Sequence, residues 1–351
     1  LTIAERRLRA QRLTGPGFAA PAAAVAWFGA VQAQDYYGAL WAVGQRCANA
    51  TEAGVEQAIA DRAIVRTWPL RGTLHFVAAE DVGWMMQHLA PQLAERTRRR
   101  FLPFGLDHRV FARCASTIVK ALEGGRQLSR PKVYERLERA GIRTAGRGLH
   151  ILWQMAHEGL ICFGTREGKQ HTFVLLEEWV PTAKRLDRDE ALAELARRYF
   201  TSHGPATLQD FTWWSGLLAA DARRGVEAGR VKAPHLAPQH PAPSHPAPRT
   251  SSARTSDHVV LLPPYDEYTV AYKDRSAALD PKHAAATRNG IFSPTILTDG
   301  RIAGTWTRRL TKDAVEVGLK PFAPLRGARA RGVTAAAARY GRFLGRTARI
   351  F

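Results

Sequence analysis

The chain has 351 residues, with 51 Lys and Arg against 31 Asp and Glu, giving a formal net charge of +20 and a pI near 10.7. That imbalance exceeds what surface solvation requires and points to a polyanionic partner, because counterion release favours basic domains on phosphate backbones. Three dispersed cysteines (Cys47, Cys114 and Cys162) with no CxxC pair argue against a disulfide framework or a cysteine zinc site, and no run approaches the ~18 apolar residues of a membrane span.

Residues 1–13 carry four Arg in a helical pattern without the apolar core of a secretory leader, and Thr14-Gly15-Pro16-Gly17 breaks the pattern. A soluble cytoplasmic, nucleoid-associated protein is expected. A helix is predicted over 22–31 and another over 51–60. Two strand-like runs follow, Ile64-Val65-Arg66-Thr67-Trp68 and Gly72-Thr73-Leu74-His75-Phe76-Val77, separated by Pro69-Leu70-Arg71. Helices closed by a hairpin match a winged-helix unit, assigned to 1–104.

The same order recurs over 105–180: helices at 110–123, 131–140 and 147–159, then strands at 160–164 and 171–176. Ser129 is placed as an N-cap ahead of Pro131. Helical segments at 189–203, 207–217 and 218–228 form a third, winged-helix-like unit over 181–232, with Thr207 as an N-cap three residues before Asp210. Residues 233–257 turn to Pro, His, Ala and Ser and are expected to be a flexible loop. Its histidines, His235, His240 and His245, lack the ordered supporting shell that a metal site needs. Strands predicted at 259–263, 269–273, 293–298 and 301–307, with Asp299-Gly300 as a two-residue hairpin turn, make a small β domain over 258–323. A basic helical tail occupies 324–351.

Four blocks set polar side chains in apolar frames: Val31-Gln32-Ala33-Gln34, Arg71-Gly72-Thr73-Leu74-His75, Leu262-Pro263-Pro264-Tyr265-Asp266-Glu267-Tyr268, and Asn289-Gly290-Ile291-Phe292-Ser293-Pro294-Thr295-Ile296 through Gly304-Thr305-Trp306. In this order they resemble the tandem winged-helix DNA glycosylase family, most closely its azinomycin-resistance, AlkZ-type branch. The resemblance implies an α+β fold: three tandem winged-helix units with a C-terminal small β-barrel, arranged around a concave DNA channel. It implies a monofunctional, monomeric, cofactor-free and metal-free glycosylase acting on double-stranded DNA that carries N7-alkylguanine lesions or crosslinks. Azinomycin-type crosslinks would be unhooked, giving self-resistance to the drug. Gln32 and Gln34 align with the family's catalytic glutamine-any-glutamine motif; a related branch carries Asp at the second position, so Gln34 places the chain with the crosslink-resistance type.

Two glutamines suit that chemistry. N7 alkylation makes the purine cationic, so its departure needs little protonation, and a carboxamide oxygen can orient water or face an oxocarbenium-like sugar. On a regular helix residues two apart diverge by about 200°, so the motif requires the helix to end there, a role assigned to Tyr36-Tyr37-Gly38. Asp35 is expected to cap or pair rather than act as the base. Asp266 and Glu267 suit either a paired acid/base or metal site, or a buried scaffold contact. Arg71, His75, Arg98, Arg99, Arg100, Arg147, Arg308 and Arg309 are the candidate DNA contacts, and Thr73 a supporting residue. Trp213 and Trp214 divide between base stacking and core. The competing readings are a winged-helix transcription regulator, a broad alkylpurine glycosylase and a drug-sequestering protein.

Overall fold

A computed structural model describes residues 1–90, 99–232 and 258–351. The 233–257 segment and Arg98 therefore lie outside the described residues. The chain divides into two compact units, one formed by 1–56 with 192–351, the other by 57–191.

In the 57–191 unit, strand β2 (Ile64–Leu70) pairs antiparallel with β3 (Thr73–Ala78), and β5 (Ile161–Glu167) with β6 (Gln170–Leu175). Register Arg66↔Phe163 joins the two hairpins, and β4 (Leu128–Ser129) pairs with β6. Both predicted hairpins are present, and they share one sheet. Beneath it the helix His108–Leu122 buries Phe111, Cys114, Ile118 and Leu122, one helical face, and Asp107 caps it by accepting from the Val110 N–H at 2.9 Å. Ser129 precedes the helix Arg130–Arg139 as expected but makes no side-chain capping bond; its backbone is committed to the β4 ladder.

In the other unit the helix Ile3–Ala10 opens with a Thr2/Glu5 capping box, and Leu208–Ser215 with the expected Thr207/Asp210 one. The helix predicted over 22–31 covers Pro21–Phe28 only. Gly29, at a φ of 78° that glycine alone takes without strain, closes it, and Val31–Gln32 is extended as the two-residue β1. Tyr36 starts a helix, Tyr36–Gly44, instead of ending one; apolar on every side, that helix is almost entirely buried.

The C-terminal sheet runs β11-β10-β9-β8-β7, with β7 at Val259–Leu262, β8 at Thr295–Thr298, β9 at Arg301–Leu310, β10 at Ala314–Pro321 and β11 at Thr347–Ile350. It is a curled half-barrel with β7 and β11 as edges, where a small β-barrel was expected. The Asp299-Gly300 turn is correct: both residues have positive φ, 50° and 82°, as a type I′ turn demands. The strand predicted at 269–273 is instead the end of a short helix, Glu267–Val270. Its β-branched residues suggest a strand, but Asp266 caps a helical turn by accepting from the Tyr268 N–H. The basic tail does contain a helix, Ala328–Phe343, which buries Val333, Ala337, Tyr340 and Phe343. Among the described residues no helix is long and apolar enough to cross a membrane.

Candidate active site

Gln32 ends the two-residue β1 and Gln34 lies on the short link from it to the helix Tyr36–Gly44, so both stand outside any helix. Val31, Gln32 and Ala33 are buried, whereas Gln34 is exposed. The geometric obstacle posed by a helix therefore does not arise, and only the second carboxamide stands open to solvent. Asp35 is the N-cap of the following helix, accepting from the Gly38 N–H at 3.0 Å.

Glu267 holds the link from behind. Its Oε1 accepts the Gln32 backbone N–H at 2.7 Å, and its Oε2 accepts from Trp214 Nε1 at 2.9 Å and His203 Nε2 at 3.2 Å. Burial lowers the His203 pKa, against the contact with Glu267 that raises it, so the ring is neutral at pH 7. The neutral ring that donates from Nε2 presents Nδ1 as an acceptor, and the Ser202 hydroxyl lies 2.8 Å from it.

Asp266 faces the other way. Arg46 meets it with two bonds of 2.8 Å, Gln45 Nε2 donates at 3.1 Å, and the Tyr268 N–H at 2.9 Å. The Arg46 guanidinium also donates to the carbonyls of Gln11 and Ala42 and to Gln11 Oε1, while Gln11 Nε2 donates to the Glu267 carbonyl at 3.2 Å and to the Tyr272 hydroxyl at 3.0 Å. Every oxygen of both carboxylates is engaged, and both side chains are fully buried. Both carboxylates are thus committed to buried scaffold contacts. Among the described residues no group of three or more His, Cys, Asp or Glu is arranged to hold a metal ion.

The remaining candidates are dispersed. Arg308, on β9, donates to the Tyr340 hydroxyl and lies over the Tyr37 ring at 6.0 Å, on the helix that follows the motif. Burial works against its charge, but Tyr340, Asp35 and Glu52 outweigh it and hold the pKa above the ordinary arginine value. Arg309 pairs across the strands with Glu316 at 2.5 Å.

Arg71, Thr73 and His75 belong to the other unit. Arg71 occupies the β2–β3 turn at a φ of 54°; Thr73 Oγ1 donates to the Leu70 carbonyl, and the buried His75 has Nδ1 2.9 Å from the Thr73 carbonyl. Arg99 and Arg100 are exposed on a 3-10 turn, Arg99–Phe104. Arg147 spends hydrogen bonds on the carbonyls of Arg143, Phe104 and Gly105. Trp214 is fully buried and Trp213 is 43% exposed, so the pair divides between core and surface.

Gln11, Gln45, Arg46 and His203 were not anticipated from sequence. The available signal was Arg46 at the end of an otherwise apolar helix, an arginine that has to find a buried anion. Nothing in the spacing could pair it with Asp266, 220 residues away.

The family model described as "DNA glycosylase AlkZ-like" matches residues 25–343. An interstrand DNA cross-link repair glycosylase from Streptomyces sahachiroi is 26% identical over 303 residues, 79% of each chain. The solved structure of the Streptomyces sahachiroi DNA glycosylase AlkZ superposes with a TM-score of 0.74 at 21% identity, covering 99% of this chain and 98% of that one, a likeness of fold.

Proposed function

The chain belongs to the AlkZ-like DNA glycosylase family, and from that membership we propose that it hydrolyses the N-glycosidic bond of N7-alkylated purines and unhooks interstrand crosslinks in duplex DNA. The observation that carries the assignment to residues is the Gln-x-Gln link, with Gln34 exposed and the backbone of Gln32 bonded to buried Glu267.

In this reading the alkylated purine departs with the electron pair of the glycosidic bond, which neutralises its charge. Water adds its oxygen to C1′ and loses its proton to solvent. The Gln34 carboxamide oxygen accepts a hydrogen bond from that water and faces the developing sugar cation, a stabilisation greatest in the transition state. Gln32 shapes the link, and Glu267 acts as a positioning residue. An amide is too weak a base to activate water strongly, which restricts the enzyme to leaving groups that are already cationic. Arg308, beside Tyr37, is proposed to hold phosphate near the motif, and the helix-hairpin units to take the duplex as tandem winged helices. The protein would act as a monomer and protect its cell from a DNA-alkylating antibiotic.

The test is a denaturing-gel assay on a duplex with a single N7-guanine crosslink, run beside an N7-methylguanine duplex. Wild type is expected to yield an abasic strand and an unhooked adduct. Crosslinks left intact while N7-methylguanine is released would overturn the crosslink substrate, and no release from either duplex would overturn the glycosylase reading of this site.

A further inference from the structure

The 57–191 unit carries a groove of about 520 Å³ remote in sequence from the Gln-x-Gln link. That volume lies within the ~300–1,000 Å³ of small-ligand sites. Its floor is aromatic: Trp68 stacks on Phe163 with centroids 5.1 Å apart, Phe163 meets Phe173 at 4.8 Å, and Trp153 completes the wall. Its rim is basic. Arg130 and Lys169 are exposed there, the Arg66 guanidinium lies 4.9 Å from the Phe163 centroid, and none of the lining residues is acidic.

We propose that this groove binds an unpaired nucleotide of a DNA strand, its base stacked on the Trp68 and Trp153 wall and its flanking phosphates on Arg130 and Lys169. Flat ring faces select a planar aromatic ligand, and a cationic rim with no acidic residue in the lining selects one that carries negative charge; a nucleotide satisfies both at once. A paired base would keep its faces inside the stack and present only phosphate. Arg66 can only donate, so its contact with His171 Nε2 at 3.2 Å makes that nitrogen an acceptor and places the ring proton on Nδ1. Burial, with Arg66 and Arg166 beside it, depresses His171 to about 4, so on this wall it is a neutral flat ring and the charge belongs to Arg66.

The experiment titrates the full chain into an undamaged single-stranded decadeoxynucleotide with a central 2-aminopurine, whose fluorescence is quenched by stacking. Wild type should quench it saturably, and change little the already stack-quenched signal of the same base paired in a duplex. Arg130→Ala with Lys169→Ala should raise the Kd by roughly tenfold or more and flatten its salt dependence by about 1.4 in log–log slope, two phosphate contacts' worth for a single strand. Leu149→Glu, which puts an anion on an exposed residue of the rim, should do the same without touching the core. Arg109→Ala with Lys120→Ala removes equal exposed charge away from the groove and should change the Kd by less than about threefold. Absence of quenching by wild type, or equal weakening by the groove and control pairs, would overturn the proposal. Because the readout is binding to undamaged DNA, failure to unhook a crosslink leaves it standing, and the reverse.

Discussion

At the scale of single residues, the two glutamines differ in what removing them should do. Gln34 is exposed on a loop, so Gln34→Ala is expected to leave thermal stability within about 0.5 kcal/mol of wild type while slowing base release by ~10- to 1,000-fold, the size of one lost transition-state contact. Gln32 is 4% exposed, so Gln32→Ala should lower both activity and stability, the latter by about 1–2 kcal/mol. Equal melting temperatures for the two variants would refute this division. Asp266→Asn leaves Arg46 as a buried cation without its counter-charge and should destabilise by roughly 3–5 kcal/mol in urea unfolding, because breaking one half of a buried pair forfeits the attraction but not the desolvation. A loss below about 1 kcal/mol would mean that water reaches the pair.

Among elements, the β8–β9 hairpin is the sharpest case of a turn set by residue type. A Cβ at Gly300 would sit 2.8 Å from Ala4 Cβ and 3.0 Å from the Tyr268 hydroxyl, on a backbone with positive φ. Gly300→Ala combines backbone strain with overpacking and should cost about 2–4 kcal/mol. Asp299→Asn, which keeps a residue that tolerates positive φ, should be nearly neutral by the same denaturation assay. Asp-Gly between two apolar runs made this turn legible in advance, and so did the Thr207/Asp210 box, because both depend on residues within four positions. The helix Glu267–Val270 was misread for a related reason: Thr269 and Val270 favour strands locally, and the capping role of Asp266 is visible only with its Arg46 partner in place. The half-barrel was legible in β7, β8 and β9 but not in β10 or β11, the last of which is fastened by parallel pairing to β10 across the intervening helix.

Over the whole molecule, four histidines couple folding to pH in one direction. Burial lowers His157 and His171 from 6.5 to about 4, and it lowers His203 and His258 too. The unfolded chain binds these protons first, so the contribution is complete above pH 6.5, and for His157 and His171 it is lost as pH falls through 4. For His157, fully buried and stacked on Trp153 at 3.5 Å, the loss reaches at most about 3 kcal/mol, taking 1.36 kcal/mol per pH unit. Urea unfolding at pH 7, 5.5 and 4 should show falling stability, and His157→Gln should flatten the fall. A stability independent of pH over that range would contradict the burial of these rings. The charge of +20 belongs to the same scale: DNA affinity should drop steeply between 50 and 200 mM salt, as log Kd against log salt measured by anisotropy.

From the sequence alone came the basic partner preference, the two hairpins, the Asp35 and Thr207 caps, the order of the four motif blocks and, through that order, the family. These are properties of neighbours in the chain or of composition, and short-range sterics and net charge decide them. Tertiary structure alone decided that Gln32 and Gln34 sit on an extended link, that Glu267 bonds the first of them, and that Arg46 neutralises Asp266. Those outcomes depend on burial, and burial turns a carboxylate 235 residues away into a hydrogen-bond partner only once both have left water.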